Sequence, residues 1–328
     1  MQKVCYNKGV KTEFCEVFQP MILYTNNNYI SDAPCVVALG CFDGVHIGHR
    51  AVIEEAIRTA RESGLASAVW TFSEPPKNFF APGSVQILSD REEKCRRISL
   101  LGVDLLFCID FDAHIAALSP EKFFSEIVLK QLNARHVVCG FNYTFGAKSA
   151  GNTALLRELC EEHGIKLTVL DPVTSDGVSV SSSLIRSHIE NGEMESAQKY
   201  LGYPYTIVSR VVDGQKLARR LGFPTVNLIP STNTILPKNG VYVSRIDFEG
   251  NERELFGITN IGMRPTVKAA EICAETHIFD FNGDLYGKEL RVELLHFVRA
   301  EQLFDSIDEL REQVHSDISA AKDFITKK

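Results

Sequence analysis

At 328 residues, with 45% hydrophobic and 23% charged side chains, the chain has the length for two packed domains and the composition of a folded globular protein. Its formal net charge of −7 excludes a general nucleic-acid coat, which needs a basic face, but leaves room for a small anion in a local basic pocket. It contains no run of about eighteen apolar residues to span a membrane, and its nine cysteines without a CxxC pair point to reduced thiols in a cytoplasm rather than to zinc or a disulfide framework.

The N-terminal stretch "MQKVCYNKGVKTEFCEVFQPM" lacks the apolar core of a secretion signal. From about Cys35, apolar runs alternate with helical periodicity. Val36–Leu39, Leu65–Phe72, Val103–Ile109, His136–Cys139 and Lys166–Leu170 are expected as strands, and Arg50–Ser63, Arg91–Leu101, Pro120–Gln131 and Ala154–His163 as helices. Short strands separated by longer helices predict βαβ units and a mostly parallel sheet, whose ligands sit beyond the carboxyl ends of the strands. Two more helices follow, Ser183–Asn191 and Met194–Tyr200, and the pattern changes near Gly202-Tyr203-Pro204. Tyr205–Val212, Gly240–Phe248, Glu254–Ile261, Ala274–Phe281 and Glu289–Phe297 then read as strands joined by Gly, Pro, Asn and Asp turns. Strands in succession without crossover helices predict an antiparallel sheet or barrel. An amphipathic helix over Asp305–Lys327 closes the chain, with Ile307, Leu310, Val314, Ile318 and Ala321 spaced for one face.

The stretch richest in chemistry is "ALGCFDGVHIGHRAVI", Ala38 to Ile53, at the end of the first strand of this alternation. Gly40 permits a tight exit from the strand, and Gly44 and Gly48 let backbone approach a ligand closely. A helix follows, offering free N–H groups and a positive dipole to phosphate. Two imidazoles there, His46 and His49, can donate hydrogen bonds to phosphate oxygens as charge builds in a transition state. Zinc is one alternative, though a third ligand and the usual i, i+4 spacing are missing. Simple turn-making and capping is the other.

"GCFDGVHIGH" resembles the GxFDGVHxGH turn of the nucleotidyltransferase superfamily, in the form used by bacterial bifunctional FAD synthetases, which fuse an FMN adenylyltransferase to a riboflavin kinase. Other stretches resemble the same family in the same order. "GFNYTFGAKSAGN" (140–152) is similar to its flavin-binding loop, "VSSSLIR" (180–186) to its phosphate motif, "LGFPTVNL" (221–228) to the PTxN motif of the kinase module, and "ETHIFDFNGDLYGKELRVE" (275–293) to its active-site strand pair. The resemblance implies an α/β nucleotidyltransferase domain over residues 21–202 and a six-stranded antiparallel riboflavin kinase barrel with a C-terminal helix over 203–328. It implies riboflavin, FMN, FAD and ATP as substrates and products, with Mg²⁺.

On that resemblance His46 and His49 would stabilise the reacting phosphates of ATP, with Gly40, Phe42, Asp43, Gly44 and Gly48 shaping the nucleotide site. Ser181, Ser182 and Arg186 would form a second phosphate clamp: short hydroxyls at a helix start and a planar cation suited to bidentate contact. The alternative for the serines is an ordinary helix N-cap. Asn142, Tyr143 and Phe145 would hold the flavin ring, or pack at the sheet edge. In the second domain Glu275 would be the base that activates the riboflavin hydroxyl. Gly222, Thr225 and Asn227 would meet ATP, and Thr225 and Asn227 would supply hard oxygen ligands to Mg²⁺. Arg299 would contact flavin or phosphate, or else be a solvated surface arginine.

Three departures from the family pattern stand out. "TFSEPPKNF" replaces a TFxPHP-like stretch, with Glu74 at a proline position and Pro75 at a histidine position. Cys41 stands where an asparagine is usual, and a thiol is a weaker hydrogen-bond partner than an amide. Residues 1–20 have no counterpart, as an upstream mis-assigned start or a disordered extension would explain. The expected protein is a cytoplasmic bifunctional enzyme, monomeric or weakly homo-oligomeric, with no nucleic-acid or membrane partner. Its rivals are a riboflavin kinase with an impaired adenylyltransferase half and a non-catalytic flavin-binding regulator.

Overall fold

The computed structural model describes residues 2–3, 21–212, 222–231, 233–265 and 270–327, with side chains from residue 21 onward and outside 264–272. Residues 4–20, the bulk of the stretch without a family counterpart, lie outside the described residues. The chain divides into two compact units, residues 1–182 and 183–328.

In the first unit the elements run β1 (Gln2–Lys3), β2 (Ile22–Tyr24), β3 (Cys35–Leu39), α1 (Ile47–Ser63), β4 (Ala66–Phe72), α2 (Pro76–Phe80), α3 (Arg91–Ser99), β5 (Leu105–Ile109), α4 (Ala113–Ala117), α5 (Pro120–Phe123), β6 (Ala134–Gly140), α6 (Thr153–Glu162) and β7 (Lys166–Leu170). A short ribbon of β8 (Thr174–Ser175) and β9 (Val178–Ser179) follows. The one continuous helix expected over Pro120–Gln131 is instead α5 with a π-helical continuation, Phe124–Gln131. The sheet has the order β1-β2-β5-β4-β3-β6-β7, parallel except for the β1/β2 pair. β3 and β5 are buried along their whole length, as strands covered by helices on both faces must be. Alternate residues divide between two cores: Val37, Leu39, Phe107 and Val137 on one face, and Val36, Ala38, Leu106 and Val138 on the other. The chain runs outward from β3 to β4 and β5 on one side, then returns to lay β6 and β7 on the other. This switch opens a crevice beyond the carboxyl ends of β3 and β6.

The second unit holds α7 (Ser182–Asn191, whose first residue belongs to the first unit), α8 (Met194–Leu201), β10 (Tyr205–Val212), β11 (Val226–Leu228), β12 (Gly240–Phe248), β13 (Leu255–Pro265), β14 (Ala270–Ile278), β15 (Glu289–Ala300) and α9 (Ile307–Thr326). The six strands close into an antiparallel barrel of order β10-β11-β14-β13-β12-β15. β11, three residues inside "PTVNL", is too short for its own periodicity to announce it. α8 packs on β10 and β15. α9 lays Val314, Ile318, Ala321 and Phe324 over Val241, Val243, Ile258 and Leu295 on the outside of the barrel. Ile307, expected on that face, opens the helix instead and is 59% exposed.

Inside the barrel three hydroxyls form a chain: Ser244 Oγ donates to Thr259 Oγ1 at 2.7 Å, which lies 2.9 Å from Thr276 Oγ1. All three residues are fully buried, so each hydroxyl depends on the others. Thr259→Val removes the middle link and strands both neighbours. A loss of about 1–3 kcal/mol is expected, read as a lower urea midpoint for the barrel's transition, with FAD formation from supplied FMN unchanged below that midpoint.

Candidate active site

The histidine turn is built by its own backbone. β3 ends at Leu39, and a Cβ on Gly40 would lie 2.7 Å from the Phe42 ring, so only glycine fits beneath that ring. Phe42 (φ 47°), Gly44 (φ 74°) and Val45 (φ 40°) are left-handed, giving a sharp exit that side-chain-bearing residues adopt only under tertiary constraint. α1 then starts at Ile47, three residues before the sequence periodicity predicts, which makes His46 its N-cap and puts His49 in its first turn. His46 Nδ1 accepts the His49 backbone N–H at 3.2 Å. The two rings stack at 3.5 Å between centroids, 16° from parallel. Capping and catalysis are therefore compatible here: an accepting Nδ1 leaves the proton of neutral His46 on Nε2, as a donor. Stacked rings, one with its Nδ1 engaged, do not converge on a metal as zinc ligands do.

Burial holds the His49 pKa well below the usual imidazole range, aided by the nearby His46 and Lys94. The ring is thus neutral near pH 7, and its Nδ1 has no hydrogen-bond partner among the described residues. Asp43, 3% exposed, accepts the Leu88 N–H at 2.9 Å through Oδ1, an anchor for the turn. Lys94, on α3 and 1% exposed, donates to the carbonyls of Cys41 (3.2 Å), Phe72 (2.8 Å) and Ser73 (3.5 Å). Sequence reasoning missed Lys94, although its i, i+4 spacing from the buried Ile98 was a usable signal.

Gly40, Phe42, His46, Gly48 and His49 floor a cleft of about 550 Å³ that also takes in Asn142, Tyr143 and Phe145 from the loop after β6, together with Ser181 and Ser182. Asn142 is exposed, and Tyr143 stacks on Phe145 at 5.8 Å and 11°. Phe145 is 5% exposed and packs on Phe123, so it serves core and cleft together. Ser182 Oγ donates to the Asp43 carbonyl at 3.4 Å. Cys41 lines the cleft, half-buried. The divergent "SEPPKNF" stretch is ordered: Pro75 and Pro76 start α2, and Asn78 bonds both the N–H and the carbonyl of Val85 at 2.9 Å. α2 contributes Lys77 and Phe80 to the cleft, neither of which the sequence singled out.

In the second unit Asn227 pairs with Glu275 and Glu275 with Asn260 across neighbouring strands, so the three side chains share one face of the barrel wall. Asn227 is 7% exposed, and its Oδ1 accepts from the Cys273 thiol at 3.7 Å, a weak donor that leaves the amide oxygen available. His277 Nδ1 donates to the Pro224 carbonyl at 2.9 Å and so fixes the loop bearing Thr225. Gly222 lies in the same loop at φ 91°. Arg186 sits half-buried on α7. Arg299 is committed elsewhere: Nε and Nη2 bind the Asp317 carboxylate at 2.9 and 2.8 Å and Nη1 donates to the Ala300 carbonyl, tying β15 to α9.

Two separate constellations suited to phosphate chemistry, one on a parallel α/β unit and one on a closed barrel, define a two-module nucleotide-dependent transferase. The FAD synthetase family model matches residues 29–184 and the riboflavin kinase model residues 201–325. The bifunctional riboflavin kinase/FMN adenylyltransferase of Escherichia coli (strain K12) is 36% identical over 299 residues, 90% of this chain and 95% of that protein. The protein of the same description from Bacillus subtilis (strain 168) is 34% identical over 87% of this chain and 90% of its own. A crystal structure described as a macrolide-efflux protein from Streptococcus pneumoniae superposes with a TM-score of 0.83 at 31% identity, covering 92% of this chain and 98% of that one. The chain belongs to the family of bifunctional riboflavin kinase/FMN adenylyltransferases. Among its described residues no helix is long and apolar enough to cross a membrane.

The depressed His49 pKa has a stability consequence. Below about pH 6.5 the unfolded chain binds a proton there that the folded chain does not, so stability falls as pH falls through that value and is unaffected above it. His49→Gln is expected to lose less stability than wild type when urea midpoints of the first unit are compared between about pH 7.5 and 5.5.

Proposed function

We propose that FAD formation takes place in the histidine cleft, within residues 21–202, and FMN formation at the Thr225–Asn227–Glu275 edge, within residues 203–328. The chain is a riboflavin kinase and FMN adenylyltransferase: it phosphorylates riboflavin with ATP, then transfers AMP from a second ATP to FMN, releasing pyrophosphate. The observation that carries the assignment of the first site is the His46–His49 stack at the N-terminus of α1, flooring a cleft that also contains the Asn142–Phe145 loop.

In adenylyl transfer an oxygen of the flavin phosphate attacks the α-phosphorus of ATP as the bond to the β-phosphate breaks. The attacking group is already an anion, so the site needs donors and positioning rather than a base. His46 offers its Nε2–H, and His49, neutral, meets the phosphates without the desolvation cost of an imidazolium. The N-terminus of α1 adds its dipole. Asn142 and Tyr143 hold the flavin, and the hydroxyls of Ser181 and Ser182 complete the phosphate contacts. Impaired adenylyl transfer is the less favoured alternative, because the divergent "SEPP" stretch is ordered and helps wall the cleft.

In the kinase step the riboflavin hydroxyl is a poor nucleophile, and Glu275 takes its proton as the oxygen attacks the γ-phosphorus and ADP departs. Thr225 and the available Asn227 Oδ1 are hard oxygen donors of the kind Mg²⁺ accepts when it is held jointly with phosphates. That ion supplies charge neutralisation to the phosphates. Arg299, held by Asp317, keeps β15 and α9 in register. The enzyme works in the cytoplasm as a monomer or weak homo-oligomer.

Purified protein given riboflavin, ATP and Mg²⁺ should yield FMN and then FAD on chromatographic separation; FMN alone would remove the cleft from the scheme. His49→Ala should lower FAD formation by about 10²–10³ with FMN formation intact. Glu275→Gln should do the converse, by about 10²–10⁴, and undiminished FMN formation would dismiss Glu275 as the base.

A further inference from the structure

The loop between β6 and α6 carries a strain that flavin stacking does not explain. Lys148 and Ser149, neighbours and neither a glycine, both adopt left-handed backbone, at φ 56° and 55°. The loop around them is rigidly held. Phe145 and Gly151 exchange two backbone hydrogen bonds, of 3.1 and 2.9 Å, which close its neck. At Gly146, itself at φ 74°, an added Cβ would lie 2.7 Å from the Pro120 nitrogen, and Ala147 N–H donates to the Leu118 carbonyl at 2.6 Å. Strained backbone persists where surrounding structure imposes it, and it concentrates at functional sites.

What this tip displays is an ammonium. Lys148 is exposed, lines the cleft, and makes no ion pair or hydrogen bond with its side chain among the described residues. Lys77 on α2 is in the same condition in the same cleft. Asp171 is the single carboxylate among the described lining residues, so this cleft is locally cationic on a chain whose net charge is −7. A lysine is a point-charge donor, suited to a phosphate whose orientation varies as it reacts.

We propose that Lys148, assisted by Lys77, recognises the phosphomonoester of the flavin and is the specificity determinant that separates FMN from riboflavin as acceptor in the adenylyltransferase cleft. This inference rests on assigning adenylyl transfer to that cleft. Riboflavin fills the same ring site but offers no anion, so the lysines discriminate between a substrate and its unphosphorylated precursor within one chain. The held backbone of the tip leaves only the lysine side chain to be ordered at binding.

The test is steady-state FAD formation from supplied FMN and ATP, with riboflavin as competitive inhibitor. Lys148→Ala should raise the KM for FMN about ten- to hundredfold, leave the riboflavin inhibition constant and the KM for ATP unchanged, and make the FMN effect of added salt shallower. Lys148→Arg should restore most of the loss. Lys148→Gly, which relieves the backbone, should behave like the alanine variant, and Lys77→Ala should act in the same direction. An unchanged KM for FMN overturns the proposal. Equal rises for FMN and riboflavin overturn it in favour of a structural role, and a rise for ATP alone overturns it in favour of the nucleotide phosphates. Failure of the wild type to form FAD from FMN would instead defeat the cleft assignment itself. An unchanged urea midpoint of the first unit shows that each variant is folded.

Discussion

One buried ammonium holds the histidine turn in place. Lys94 leaves α3, loses almost all contact with water, and meets three backbone carbonyls at the carboxyl ends of β3 and β4. A lysine tolerates such burial only when its donors are satisfied, and the carbonyls tolerate it only while the lysine is present. The same contact therefore pins the start of the histidine turn, at Cys41, and the start of the divergent loop, at Phe72 and Ser73. The Lys94 charge also adds, after burial and His46, to what keeps His49 neutral. Thr71 Oγ1 shares the Cys41 carbonyl at 2.8 Å, so the turn is fixed from two sides.

On the proposed assignment, the two sites would divide their labour by the nucleophile each must handle. A flavin phosphate arrives as an anion and needs donors, which a capped helix start with two neutral imidazoles supplies. An alcohol needs a base, and the barrel presents a carboxylate beside amide and hydroxyl oxygens. Each architecture suits its task. A parallel sheet gathers loops and helix starts at one edge, whereas a barrel wall sets side chains in register, as Asn227, Glu275 and Asn260 are set.

Much of the fold was legible because its signals are local. The five apolar runs of the parallel sheet and the amphipathic C-terminal helix carry their periodicity in consecutive residues. Short elements escaped, among them β2, α2, α4 and β11, as did the early start of α1, because a cap made by an imidazole is invisible to helical periodicity. Lys94 looked like any charged residue on a helix until Ile98 showed which face was buried. Arg299 read as either a ligand-binding or a solvated surface cation until α9 brought Asp317 against it.

By itself the sequence determined the order of modules, the histidine turn and the residue types of both sites, since those depend on neighbours along the chain. Tertiary structure alone decided how those side chains are arranged. The stacking of His46 on His49, the neutrality of His49 and the alignment of Asn227 with Glu275 arise from contacts across the fold. So does the meeting of Lys148, at its strained loop tip, with Lys77 in one cleft, because electrostatics and strain depend on distance in space rather than in sequence.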